Sequence, residues 1–96
     1  MIVACANPKQ SGTKGDQPYY MLDIGIAMEH LILAAAEQGL GTCWIGWFDE
    51  QKARKALGAP AEVRVVAFTP LGYPAEEPEA RPRKTLGEMV YRDRWG

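Results

Sequence analysis

Residues 19–46, YYMLDIGIAMEHLILAAAEQGLGTCWIG, decide the fold. Tyr19 to Gln38 predicts one long helix of roughly 30 Å. Asp16 or Gln17 stands near its start, Pro18 is tolerated in the first turn, and the pair Gly39-Leu40 ends it. On a helical wheel Asp23, Ala27, His30, Ala34 and Glu37 share one narrow stripe, while Ile24, Ile26, Met28, Leu31, Ile32 and Leu33 cover most of the remaining circumference. A helix apolar nearly all round must be sandwiched, and so short a chain has little mass to cover both sides, so a partner chain is expected. Gly25 and Ala36 lie together and admit a close backbone approach, and Ile32 and Ala36 are expected in that interface. Glu29 beside them reads as a wet or structurally hydrogen-bonded carboxylate, and His30 as a solvated imidazole. With one histidine in the chain, no metal site is expected.

Outward from the helix, Met1–Ala6 is an apolar run of strand length, expected to be interior and ended by Asn7-Pro8. Lys9–Pro18 is polar, carries two glycines and reads as a mobile loop. On the other side, Gly41–Gly46 reads as a short strand, and Asp49 caps a helix over Glu50–Leu57 that Gly58 closes, with Glu50 and Arg54 spaced to pair. Val63–Leu71 is a third strand whose Pro70 places its end at an edge or bulge. Gly72–Gly96 is a proline-containing charged arm with one helical turn around Leu86–Tyr91. One domain over 1–96 results, with a core at 1–71 and an extended arm at 72–96. From pattern alone, strand, helix, strand, helix, strand suggests parallel crossovers.

The chain has 96 residues, with Lys+Arg 11 against Asp+Glu 12 and a net charge of -1. No basic field exists to neutralise phosphates, so nucleic-acid binding is excluded from the expectations. A chain this long hides roughly 65% of its unfolded surface, which makes a thin core unless another chain adds to it. The apolar stretch Ile24–Ala36 is interrupted by Glu29 and His30 and falls short of the ~20 residues of a membrane span. The N-terminus has no basic region or cleavage site of a signal peptide, so no membrane partner and a cytoplasmic location are expected. Cys5 and Cys43 read as small buried core residues rather than a disulfide or metal pair.

A more specific pattern overrides the parallel guess. The run Asp23-Ile24-Gly25-Ile26-Ala27-Met28-Glu29-His30-Leu31, then Leu33-Ala34-Ala35, then Gly39-Leu40-Gly41-Thr42-Cys43-Trp44-Ile45-Gly46 resembles the C-terminal half of the FMN-dependent nitroreductase family. Phe48-Asp49, Val65-Val66-Ala67, Pro70-Leu71-Gly72-Tyr73-Pro74, Arg81-Pro82-Arg83-Lys84 and Trp95-Gly96 follow in the same order. The resemblance covers essentially the whole chain. It implies an α+β fold with a mostly antiparallel sheet packed with helices, and a homodimer with the long helix at the interface. It further implies FMN, with NAD(P)H as co-substrate and a nitroaromatic, quinone or similar small molecule as acceptor.

Within that resemblance Ile45, Gly46 and Trp47 would face the flavin edge, where a residue without Cβ permits close approach, and Arg81 and Arg83 would hold the FMN phosphate. No catalytic side chain is required, since the cofactor carries the redox chemistry. Trp47 could line the flavin pocket or fill a strand-end core, and Trp44 reads more as core. The sequence departs from the family in lacking its N-terminal half and the Arg-Arg-Ser-x-Arg-like motif found there. The chain is therefore expected to be a fragment, a truncated gene product, or one half of a split protein with a separate N-terminal half. The competing function is a dimerising remnant that binds no flavin alone, in which Arg81, Arg83 and Lys84 form a solvated arm neutralised by Glu76, Glu77 and Glu79.

Overall fold

The computed structural model describes residues 1–96. In chain order it contains β1 (Ile2–Ala6), β2 (Thr13–Lys14), β3 (Gln17–Pro18), α1 (Tyr20–Glu37), β4 (Gly41–Thr42), α2 (Glu50–Leu57), β5 (Arg64–Thr69), β6 (Leu71–Gly72) and α3 (Leu86–Met89). All three strand pairings, β1 with β5, β2 with β3 and β4 with β6, are antiparallel. The parallel crossovers suggested by element order alone are thereby corrected, and the α+β, antiparallel architecture holds. Hydrophobic spacing reports which face of a strand is buried and says nothing of its direction.

Val65, Ala67 and Thr69 alternate along β5 as its buried face, and Met28 and Ala35 are the buried positions of α1. Seven residues separate the two on the helix, which puts them on one side, two turns apart. Ile24, Leu31 and Ile32 flank them and are half-buried, whereas Leu22 at 59%, Ile26 at 50% and Leu33 at 59% remain exposed on another face. The all-round apolar wheel thus resolves into one packed face and one open stripe. Ile32, expected in a partner interface, is partly covered by the chain itself. Glu29 and His30 are both exposed.

Only five of the 96 residues are buried. The radius of gyration, 16.7 Å, exceeds the about 12.5 Å of a compact domain of this length. Two expectations fail for that reason. Cys5 and Cys43 are exposed rather than core. β1 is also no interior strand within this chain, having β5 as its one hydrogen-bonded neighbour. The register between β1 and β5 shifts after Ala4, which faces Ala67 while Cys5 faces Val65, so Val66 has no opposite number.

Local chemistry sets the ends of the elements. Residues 13–18 form a hairpin rather than a mobile loop, with Lys14 opposite Gln17 and Gly15 at φ 63 in the turn. The Ser11 hydroxyl donates to Asp23 at 2.7 Å and ties this hairpin to α1. Asp16 and Gln17 therefore cap nothing; the N-cap of α1 is Tyr19, without a side-chain hydrogen bond. At the other end Gly39 takes φ 73, and the N–H groups of Gly39 and Leu40 donate to Ala36 and Ala35, a Schellman closure. The strand expected over 41–46 breaks after Thr42, because the Cys43 N–H donates at 3.0 Å to the hydroxyl of Thr69, which is fully buried. Pro70 splits the third strand into β5 and β6. Every residue from Pro70 to Gly96 is exposed, and α3 carries a capping box between Thr85 and Glu88.

Candidate functional site

Three contacts with the β5 region fix the segment that follows β4. The Ile45 N–H donates to the Phe68 carbonyl at 2.9 Å, and the Phe68 N–H donates back to the Ile45 carbonyl at 2.9 Å. The Phe48 ring meets the Phe68 ring edge-on, with centroids 4.3 Å apart and planes at 63°. Asp49 then caps α2 by accepting from the Lys52 N–H at 3.1 Å. Glu50, the first residue of the helix, accepts from Arg64 Nε at 2.7 Å, from Arg64 Nη2 at 2.8 Å and from the Val65 N–H at 3.1 Å. The Arg64 guanidinium holds the Glu50 carboxyl below its ordinary 4.5, against the opposing effect of partial desolvation, and Glu50 in turn raises Arg64.

Between these anchors the chain projects Gly46 and Trp47. A Cβ placed on Gly46 would meet no atom within 4 Å, and its backbone is outside the left-handed region. Neither packing nor conformation within the chain requires a glycine there. The N–H groups of Gly46 and Trp47 donate to no group of the chain. Trp47 is 100% exposed and Trp44 45%, so neither fills a strand-end core. A shallow cavity of about 210 Å³ at this turn is lined by Tyr20, Met21, Gly46, Phe48, Glu50 and Arg64 among others. An open glycine face, two free backbone donors and an uncovered indole suit a planar, hydrogen-bond-accepting ring.

Of the residues expected at the site, Ile45, Gly46 and Trp47 come together as one anchored turn. Arg81 and Arg83 lie in the exposed arm, and neither lines a cavity with Gly46. Arg81, Arg83 and Lys84 form no ion pair, so no contact with Glu76, Glu77 or Glu79 neutralises them. The pairing expected between Glu50 and Arg54 is replaced by Glu50 with Arg64; Arg54 instead donates to the Pro60 carbonyl at 3.1 Å. Sequence reasoning missed Arg64 because a helix partner four residues away was at hand. Its signal is nonetheless visible, a lone charge in the otherwise uncharged run Val63–Leu71.

The nitroreductase family model matches residues 1–73. A relative from Archaeoglobus fulgidus, named "Putative NADH dehydrogenase/NAD(P)H nitroreductase", is 34% identical over 101 residues, covering 98% of this chain and 56% of its own length. An NADPH-flavin oxidoreductase of Vibrio harveyi is 32% identical over 76 residues, 77% of this chain and 32% of that protein. The crystal structure of a nitroreductase family protein from Clostridium novyi NT superposes with a TM-score of 0.73 at 46% identity, over 98% of this chain and 50% of that one. The chain spans about half the length, or less, of these relatives.

Proposed function

The chain belongs to the nitroreductase family, and on that premise we propose that it is the C-terminal portion of an oxidoreductase that passes hydride from NAD(P)H via FMN to a nitroaromatic, quinone or similar small-molecule acceptor. The observation that carries this reading is the anchored turn at Gly46–Trp47, with its open face and two unused N–H donors. Bound FMN would supply the hydride chemistry, so no nucleophile or metal is asked of the protein. The turn's task is to bring backbone donors within about 2.7–3.2 Å of a ring acceptor and to hold them still. Trp47 offers a flat apolar surface beside it. Arg81 and Arg83, exposed and unpaired, are the groups we assign to the FMN phosphate, for which a guanidinium fork is well suited. The open stripe of Leu22, Ile26 and Leu33 is the surface we assign to a homodimer interface, since three large side chains along one helix face gain by being covered.

The names of the relatives, an NAD(P)H nitroreductase and an NADPH-flavin oxidoreductase, support the same reaction class. The decisive experiment is the visible absorption spectrum of the purified protein together with its intact mass. A flavin band that NADH or NADPH bleaches, and that a quinone restores, is the expected result. Protein that carries no flavin and takes up none on titration with FMN overturns the reading in favour of a dimerising module without redox activity.

A further inference from the structure

We propose that the Glu50–Arg64 pair is a positioning device for the Gly46–Trp47 turn. The inference rests on the assignment of that turn to the flavin edge and goes beyond it, to the residues that set where the edge lies. Three hydrogen bonds converge on the Glu50 carboxylate, two from one guanidinium and one from the Val65 backbone, so its position is fixed in direction as well as distance. The other end of the segment is Ile45, fixed to Phe68. Both anchors stand on β5, and the four residue steps from Arg64 to Phe68 separate them by roughly 13 Å of extended strand. The turn is thus strung between two points of a single rigid element. Glu50 and Arg64 also line the same shallow cavity as Gly46, with Tyr20 and Met21 of the first turn of α1 opposite. Without the carboxylate the segment would pivot on Ile45 and the Phe48 ring, and α2 would be free to slide along β5.

Neither residue is placed against the reacting atoms, so the test must separate positioning from mere support of α2. Three variants of the full chain serve: Glu50→Ala, Glu50→Gln, which keeps an acceptor but loses the charge, and Ala56→Gly. The last lies at an exposed position of α2 and weakens that helix without touching the clamp. Amide hydrogen exchange is read at Ile45 and Phe68, whose reciprocal bonds report the turn, with the α1 amides as reference. FMN is titrated into each variant, and the position of the visible flavin band is recorded.

In Glu50→Ala, exchange at Ile45 and Phe68 is expected to speed up about tenfold with α1 unchanged, the FMN dissociation constant to rise about tenfold, and the band to shift. Glu50→Gln should fall between this variant and the wild type, and Ala56→Gly should leave all three readings near wild type. Wild-type exchange at both amides in Glu50→Ala overturns the proposal, as does an Ala56→Gly variant that reproduces the effect. Faster exchange with an unmoved flavin band and affinity overturns its flavin half. Failure of the flavin assignment itself is recognised separately, as wild-type protein that takes up no FMN, and the exchange measurement still decides the clamp.

Discussion

Replacing Gly46 by alanine and by valine separates a glycine kept for the fold from one kept for a ligand. Within the chain nothing lies within 4 Å of the added Cβ, and the backbone is not left-handed. Steric and conformational penalties are therefore both absent, and a surface substitution of this kind shifts stability by about 0.5 kcal/mol or less. The reduced entropy of the unfolded chain acts in the stabilising direction by about 0.4–1 kcal/mol. For a domain this size 1 kcal/mol moves Tm by roughly 4–8 °C, so both variants should melt within a few degrees of wild type. A flat ring seated on the turn meets a different situation. The methyl groups of valine would stand in the space through which the Gly46 and Trp47 N–H groups reach it, and loss of those bonds costs about 1–3 kcal/mol, a fall in affinity of about tenfold or more. The assay pairs melting temperature with quenching of FMN fluorescence on binding, for wild type, Gly46→Ala and Gly46→Val. The valine variant should be cold to FMN and normal in melting, with alanine between. A valine variant that melts normally and binds FMN within about twofold of wild type would remove this turn from the flavin site. One that melts far lower would show that the glycine serves the fold.

Placing a charge on the open stripe of α1, as Ile26→Glu or Leu33→Glu, should convert a dimer to monomer in light scattering, because an unpaired carboxylate is costly in an interface core; a monomeric wild type refutes the assignment. Arg81→Ala with Arg83→Ala should leave Tm unchanged, since neither side chain makes a hydrogen bond or ion pair, while raising the FMN dissociation constant at least tenfold at about 1.5–3 kcal/mol per charged hydrogen bond. An unchanged dissociation constant would leave the arm a solvated tail. The Glu50 carboxyl titrates below 4.5 when folded, so its contribution is complete above that pH and is lost as pH falls from about 4.5 through the lower folded value. Acid unfolding followed by circular dichroism should therefore lose part of its steepness below pH 4.5 in Glu50→Gln, and identical acid limbs would refute the coupling.

The legible part of this fold was what local chemistry dictates. The long helix and its Gly39 closure, the Asp49 cap, the Gly58 end of α2 and the break at Pro70 all lie where residue type and spacing put them. Each depends on interactions within a few residues, which is the range over which sequence is read directly. Two misreadings have the opposite cause. Glu50 chose Arg64, fourteen residues away, over Arg54, four away, because β5 presents a guanidinium and a backbone N–H together. Cys43 reads as core from its apolar surroundings, whereas its own N–H is claimed by Thr69 across twenty-six residues and its side chain is exposed. Residues 13–18 are a local exception: polar enough to read as a loop, they form a hairpin with Gly15 at positive φ in the turn. The segment proposed as the site is singled out by the ordered family motifs alone, while the contacts that hold it, Phe48 on Phe68 and Glu50 on Arg64, emerge only with the tertiary neighbours.

The exposed apolar side chains are grouped, and the grouping separates two properties of the proposed site. Half of the large ones fall on the outer stripe of α1 at Leu22, Ile26 and Leu33, on the turn at Trp47, and on the arm at Leu86, Met89, Val90 and Trp95. Apolar residues scattered singly over a surface need no explanation, but groups of this kind mark surfaces that other polypeptide or ligand covers. With five residues buried, a partner that covered these surfaces would contribute much of the stability, and folding would then be linked to association by mass action. The floor of the site stands apart from that linkage. Its three anchors, Ile45 to Phe68, Phe48 to Phe68 and Glu50 to Arg64, are all contacts within this chain, gathered on one strand. On the proposed assignment, where the flavin edge sits would be a property of β5 and α2, while how firmly a flavin is retained would depend on what closes over α1 and the arm. Substitutions on the first set should move the flavin band at constant oligomeric state, and those on the second should change occupancy with the band in place.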